Sequence, residues 1–239
     1  MILNLVPKKA SGGFPAKKPL NDLSWSEISQ ISQSGRASQY WKVGDTKTFK
    51  LYSSATDFVQ YEVVILGFDL DTLADGSGTA GITFGMKQCL NERYAMSSQE
   101  DVIDGWLLSS LRTLLNGTIY NQLDSGLRPL IREVSKLCSD GLGIEVYGVA
   151  DKLFIPSGYE IAGDDDGGWF DGEGTAQYPY FADPANRIKT VGGVASAWWT
   201  RSPAYWDETC FCVVTAAGGT WRTETEMATQ QGVSFAFCI

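Results

Sequence analysis

Hydrophobic and polar residues alternate along this chain in short blocks whose period changes several times. Residues 1–20 carry Pro7, Pro15 and Pro19 and no periodic apolar face, which predicts an extended lead-in. Next, Trp25, Ile28 and Ile31 recur at helical spacing, and Ser24 with Glu27 three residues on forms a capping box, so a short packed helix begins there. From Tyr40 the period becomes two. Strands are predicted at 41–43 and 46–52 around a Gly44-Asp45 turn, and again at 61–68. The unbroken apolar centre of the last, Val63-Val64-Ile65-Leu66, suits a strand buried on both faces.

Residues 71–81 are rich in Gly and Asp and read as a loop, followed by a strand-like piece at 82–86. The segment 101–137 is the most helical. Trp106, Leu107, Leu111, Leu114 and Leu115 share one face, and Leu127, Leu130, Ile131 and Val134 share another, which predicts two helices broken near Asn116-Gly117. A strand at 144–149 comes next, then the apolar run 153–156. Beyond Ser157 helical periods are few and short strands among loops are expected, closing on an alternating, largely apolar strand at 232–239 that makes this end structural. Strands, then helices, then irregular strands describe an α+β domain rather than a βαβ repeat, with no internal repeat.

Composition changes this picture mainly by exclusion. Among 239 residues there is no histidine, which removes Ser-His-Asp and Cys-His catalysis and His-ligated zinc. Lys+Arg 19 against Asp+Glu 28 leaves a net charge of −9, unsuited to a nucleic-acid backbone, so no nucleic-acid partner is expected. Cys89, Cys138, Cys210, Cys212 and Cys238 are odd in number with none in C-x-x-C spacing, and read as reduced, mostly buried thiols. The opening MILNLVPKKA places its lysines after its apolar part, the reverse of a secretory signal, and no apolar run approaches the ~20 residues of a membrane span. A soluble chain without membrane insertion is expected. Neither phosphate-cradling glycine motif occurs, and no cofactor is implied.

Four stretches carry candidate chemistry. The loop 164–173 concentrates carboxylates, including Asp164 and Glu173; it is a solvated acidic loop or a calcium site, although its spacing matches no EF-hand. No acidic pair stands out as a glycosidase couple. Cys210 and Cys212 would share one strand face, either as two small tolerated side chains or as a reactive or ligand-contacting surface. In Trp198-Trp199-Thr200-Arg201-Ser202-Pro203 the indoles suit a core while the Arg201 guanidinium fixes surrounding loops, a structural corner. After it, Tyr205, Trp206, Asp207, Glu208, Thr220, Trp221, Arg222, Thr223 and Glu224 mix aromatic, charged and hydroxyl groups without core periodicity, as binding surfaces do and as solvated loops also do.

At these residues the chain resembles C-type-lectin-fold domains of phage and mobile-element proteins, including the variable proteins of diversity-generating retroelements. The resemblance rests on Trp198 to Pro203, on Phe211-x-Val213 and on Gly232-Val233-x-Phe235. Earlier pieces are Trp25-x-x-Ile28-Ser29, Gly105-Trp106 and Asp151-Lys152-Leu153-Phe154, so that it spans about 21–239. It implies a C-type-lectin-like fold, a small twisted antiparallel sheet with packed helices and long loops. It further implies a scaffold of Trp198, Trp199, Arg201, Ser202, Pro203, Phe211, Val213, Gly232, Val233 and Phe235. Positions hypervariable through adenine-directed mutagenesis would lie among Tyr205, Trp206, Asp207, Glu208, Thr209, Cys210, Cys212, Val214, 220–224, Met227, Thr229 and Gln230, within a variable region of about 197–239. The function implied is non-enzymatic receptor binding or display toward a cell-surface protein or glycan. Two rivals are a structural phage tail or baseplate piece and a metal-dependent sugar-binding domain using the 164–173 loop, although the Glu-Pro-Asn and Trp-Asn-Asp motifs of calcium-dependent lectins are missing.

Overall fold

A computed structural model describes residues 17–98, 105–140, 145–164, 170, 172–204, 207–219 and 224–239; within these, the side chains of Glu208 and Glu224 are not described. The lead-in 1–16 lies outside the described residues. The architecture is mixed α+β, with several small antiparallel sheets and few helices.

The central sheet has four antiparallel strands, β1 (Thr46–Tyr52), β2 (Phe58–Gly67), β3 (Thr83–Met86) and β11 (Ala236–Cys238), in the order β1-β2-β3-β11. Because successive side chains leave a strand on opposite faces, Val63 and Ile65 enter one apolar cluster while Val64 and Leu66 enter another. The expected two-sided burial of this strand is what the fold contains. On the first face lies α1 (Trp25–Gln33), opened by the Ser24–Glu27 capping box, with Trp25 edge-on to Phe84 at 5.6 Å. On the second face Phe154, Phe181 and Trp198 are buried.

Three sequence expectations need correction. Residues 41–43 are no strand: Trp41 ends α2 (Ala37–Tyr40), its indole N–H donates to the Lys18 carbonyl at 3.2 Å, and Gly44, at φ +90°, makes the turn. The helical stretch is not broken at Asn116. It runs through α3 (Ser110–Leu114), a π-helical turn (Leu115–Ile119) and α4 (Tyr120–Gln122). Asn116 holds the widened turn in place, donating to the Leu153 carbonyl at 2.8 Å and accepting the Lys152 and Leu153 N–H groups at 3.0 Å. The second expected helix is a single 3-10 turn (Arg128–Leu130). Pro129 offers no N–H, Arg132 donates to the Cys238 carbonyl, and Val134 already begins a strand.

That strand, β4 (Val134–Ser139), pairs with β5 (Val146–Asp151). A helix not expected from periodicity follows: α5 (Gly158–Ala162), capped by Ser157 and Glu160. The chain then forms the hairpin of β6 (Lys189–Val191) and β7 (Val194–Ser196). Last comes a three-stranded sheet of β8 (Trp198–Ala204), β9 (Asp207–Val214) and β10 (Glu224–Glu226), ordered β10-β9-β8. Among the described residues no helix is long and apolar enough to cross a membrane.

Candidate functional site: the buried frame of the C-terminal sheet

Every residue of β8 is buried. Trp198 and Trp199 are neighbours on a strand, so their indoles enter opposite clusters, and each indole N–H finds a carbonyl: Trp198 that of Arg187 at 2.9 Å, Trp199 that of Tyr94 at 2.8 Å. Phe211 and Val213 on β9, with Gly232, Val233 and Phe235 beyond β10, are buried around them. Gly232 fits because a Cβ there would meet the Cys89 sulfur at 2.8 Å and the Ala197 carbonyl at 3.0 Å.

Arg201 has no exposure and uses all five of its N–H groups. Nε donates to the Leu137 carbonyl at 3.0 Å, and Nη1 to the Ile155 carbonyl at 3.1 Å and to Glu160 Oε2 at 2.5 Å. Nη2 donates to Glu160 Oε1 at 3.0 Å and to the Glu173 carbonyl at 2.9 Å. One guanidinium therefore ties β8 to β4, to the segment before α5, to α5 itself and to the chain at 173, through the planar fork that lysine lacks.

Glu160 continues the network. Its Oε1 accepts Lys136 Nζ at 2.5 Å, and Lys136 also donates to Asp71 and to the Tyr178 hydroxyl at 2.9 Å, while its ammonium lies 4.4 Å from the Phe154 ring centroid. The Tyr178 hydroxyl and Thr83 Oγ1 donate to Asp71 at 2.8 and 2.5 Å. Burial alone would raise the Asp71 and Glu160 carboxyls. The Lys136 and Arg201 cations override it and hold both below the ordinary carboxylate range. Lys136 is held above its usual value despite burial, because two carboxylates face it.

Glu173 differs. It accepts the Ser139 N–H at 3.0 Å and the Ser202 hydroxyl, yet no cation is ion-paired with its carboxylate among the described residues. Burial pushes it up to about 7, against the pull of nearby Arg201. A cavity of about 280 Å³ opens over this cluster, with Asp71, Lys136, Glu160, Glu173 and Tyr178 among its walls.

The chemistry available here is that of a clamp. Among the described residues no buried side-chain nitrogen or oxygen lacks a partner, and the Lys136 ammonium is held charged between two carboxylates.

The sequence-predicted residues are placed unequally. All ten scaffold positions are buried and lie in or against the β8–β9 framework. Asp207 is half-buried and Thr209 exposed, the threonine hydroxyl donating to the Asp207 carboxylate at 2.6 Å. Cys210, Cys212 and Val214 are only 7, 1 and 0% exposed, which corrects their reading as ligand-facing positions: these alternate side chains of β9 share one face of the strand, and that face is buried. Glu208 and Glu224 belong to β9 and β10, and Tyr205, Trp206, Thr220, Trp221, Arg222 and Thr223 lie outside the described residues. None of the five cysteines forms a disulfide.

The acidic loop also divides. Asp164 is exposed, Glu173 is fully buried, and residues 165–169 and 171 lie outside the described residues. Among the described residues no group of three or more Cys, Asp or Glu is arranged to hold a metal ion.

Asp71, Lys136, Glu160 and Tyr178 were not legible as a cluster. Two signals were present: the Ser157-x-x-Glu160 capping box after an apolar run, and a lysine at an inward position of the alternating Val134-x-Lys136-x-Cys138 strand.

A family model matches residues 81–239, two thirds of the chain, from just before β3 through β11. The chain belongs to the DUF6273 family. This is a domain of unknown function. No curated protein and no solved structure matches the chain. Lys136, Glu160, Glu173, Tyr178 and Arg201 all fall within the DUF6273 region, whereas Asp71 reaches into the cluster from the segment before it. The DUF6273 region therefore draws a buried counter-ion for Lys136 from outside its own boundary, and also the central strand β2 on which β3 pairs.

Proposed function

We propose that the chain is a non-enzymatic ligand-binding domain of C-type-lectin-like fold, which presents its C-terminal loops to a cell-surface protein or glycan. The presenting residues are those of the connections between β8 and β9 and between β9 and β10 and of the strand ends beside them: Tyr205 and Trp206 with Asp207 and Glu208 at the start of β9, and 220–223 with Glu224 at the start of β10. In this reading they are diversified through a retroelement, in the setting of a phage receptor-binding or displayed protein. One observation carries it: Arg201 ties the wholly buried strand β8 to four separate segments, a frame that keeps its position while the connecting loops change sequence. A rigid frame lowers the ordering cost of binding, and aromatic side chains on such loops add contact area with few rotatable bonds.

The test randomises codons 205–208 and 220–224 in a displayed library of the full chain and selects against hen lysozyme as an arbitrary target. Folded binders with a cooperative melt are expected. A library in which every change at these codons unfolds the protein overturns the reading. Sequencing the flanking DNA tests diversification separately: a near-copy of codons 197–239 differing where it carries adenine, beside a reverse-transcriptase gene, is expected, and its absence removes the retroelement from the proposal.

A further inference from the structure

A second concave surface has no described residue of 197–239 among its walls. Two depressions, of about 240 and 190 Å³, adjoin at Tyr61 and Asn91, which line both, and are treated together as one groove. One wall is the β1–β2 hairpin. The other is the segment 88–94, held by Leu90 N–H to the Val233 carbonyl at 2.9 Å and Tyr94 N–H to the Gln231 carbonyl at 3.0 Å. The groove is thus set between backbone-paired segments, as a preorganised site requires.

We propose that this groove binds a neutral oligosaccharide, with Tyr61 at its centre. Tyr61 stacks one ring face on Phe49, 5.8 Å between centroids at 28°, and its hydroxyl accepts the Asn91 N–H at 3.2 Å. Tyr52 and Tyr94 line the same half of the groove. The face of an aromatic ring carries negative potential that attracts the polarised C–H groups of a sugar ring. Around Tyr61, the side-chain amides of Gln60 in one depression, Gln122 in the other and Asn91 in both make no hydrogen bond to any described residue, and each offers both donors and an acceptor to vicinal hydroxyls.

The charges select a neutral ligand. Glu92 accepts only the Tyr94 hydroxyl, at 3.0 Å, and Lys87, beside the groove, is ion-paired with Glu62 at 2.7 Å. The groove therefore holds an uncompensated carboxylate and repels phosphate, sulfate and acidic sugars. An extended peptide adding to the sheet is disfavoured, because the outer edge of β1 is already covered: Leu51 bridges Leu123, Asp124 N–H donates to the Lys50 carbonyl, and Asn21 accepts the Thr48 N–H.

The experiment titrates the full chain calorimetrically with cellotetraose, maltotetraose, mannotetraose and chitotetraose, and with a neutral glycine-serine peptide. Saturable heat with at least one sugar is expected, weakened about tenfold or more by Tyr52→Ala and independently by Gln122→Ala. A Trp206→Ala/Trp221→Ala double variant leaves this binding unchanged, which separates it from the C-terminal loops. No saturable binding to any of the four sugars, binding that survives both groove variants, binding lost only in the double tryptophan variant, or binding of the peptide in place of the sugars overturns the proposal.

Discussion

Arg201 and Glu160 meet fork to fork in the interior, Nη1 to Oε2 at 2.5 Å and Nη2 to Oε1 at 3.0 Å, with Lys136 on the far side of the same carboxylate. Removing one partner of a buried pair leaves charge without compensation, at a cost of about 3–5 kcal/mol. Glu160→Gln is therefore expected to lower the free energy of unfolding by an amount in that range, read from urea midpoints at constant slope. A loss below about 1 kcal/mol would mean that water reaches the cations and that the clamp is weak.

Glu173 sets a pH dependence whose sign is opposite to that of most carboxylates. Its proton is held up to about pH 7 in the folded chain, against 4.5 as the ordinary value. The folded state therefore binds more protons than the unfolded state between these values. Stability attributable to this group is complete below about 4.5 and is lost as pH rises through 7. Thermal midpoints should fall across that window in the wild type and fall less in Glu173→Gln. Parallel curves for the two proteins would assign the titration to another group.

All five cysteines are buried thiols, and burial pushes Cys89 up to about 11 and Cys138 up to about 12. Since the thiolate is the reactive form, a disulfide-exchange reagent at pH 8 should label none of them quickly in the folded protein and all five in denaturant. Rapid labelling of Cys210 or Cys212 in the native protein would mean that β9 opens and would return those positions to the ligand-facing set.

Lys189 is buried without a carboxylate partner among the described residues. Its ammonium donates to the Met86 and Lys87 carbonyls, at 2.5 and 3.3 Å, and lies 5.3 Å from the Trp198 ring centroid. Burial lowers it to about 8. Replacement by an apolar side chain of similar length removes the desolvation cost, and the Met86 carbonyl keeps its bond from Ser234 at 3.2 Å. Lys189→Met should thus be neutral or stabilising by about 1–3 kcal/mol at neutral pH. A destabilisation of similar size would show that the two carbonyl contacts outweigh the cost of burying the cation.

Local signals carried the parts of the fold that local physics decides. The Ser24–Glu27 box and the apolar face of Trp25, Ile28 and Ile31 marked α1 because a cap and a stripe are both short-range. The unbroken run 63–66 marked a two-sided strand for the same reason. The second helix failed because Leu127, Leu130 and Ile131 satisfy helical spacing while Pro129 and the pairing of Arg132 with Cys238 redirect the backbone; that pairing joins distant segments. At the candidate site the ten positions that the resemblance names as scaffold are all buried. The partners of Arg201 were not legible. Asp71 sits in a Gly- and Asp-rich stretch that reads as solvated loop, and its contacts with Thr83, Lys136 and Tyr178, 12, 65 and 107 residues later, bring it inside.

The pairing of β3 with β11 bears on how the chain reaches this structure. Thr83 and Cys238 face each other across that ladder although 155 residues separate them. Closing so long a loop costs chain entropy before the contact repays any of it, and topologies dominated by distant contacts fold slowly. During synthesis β1, β2 and β3 leave the ribosome long before their fourth strand exists, with the apolar faces of β2 and an unpaired edge of β3 exposed. The interval before residues 236–238 arrive is therefore the period of greatest exposure to aggregation. A chaperone that covers the β3 edge during this interval should raise the yield of folded protein.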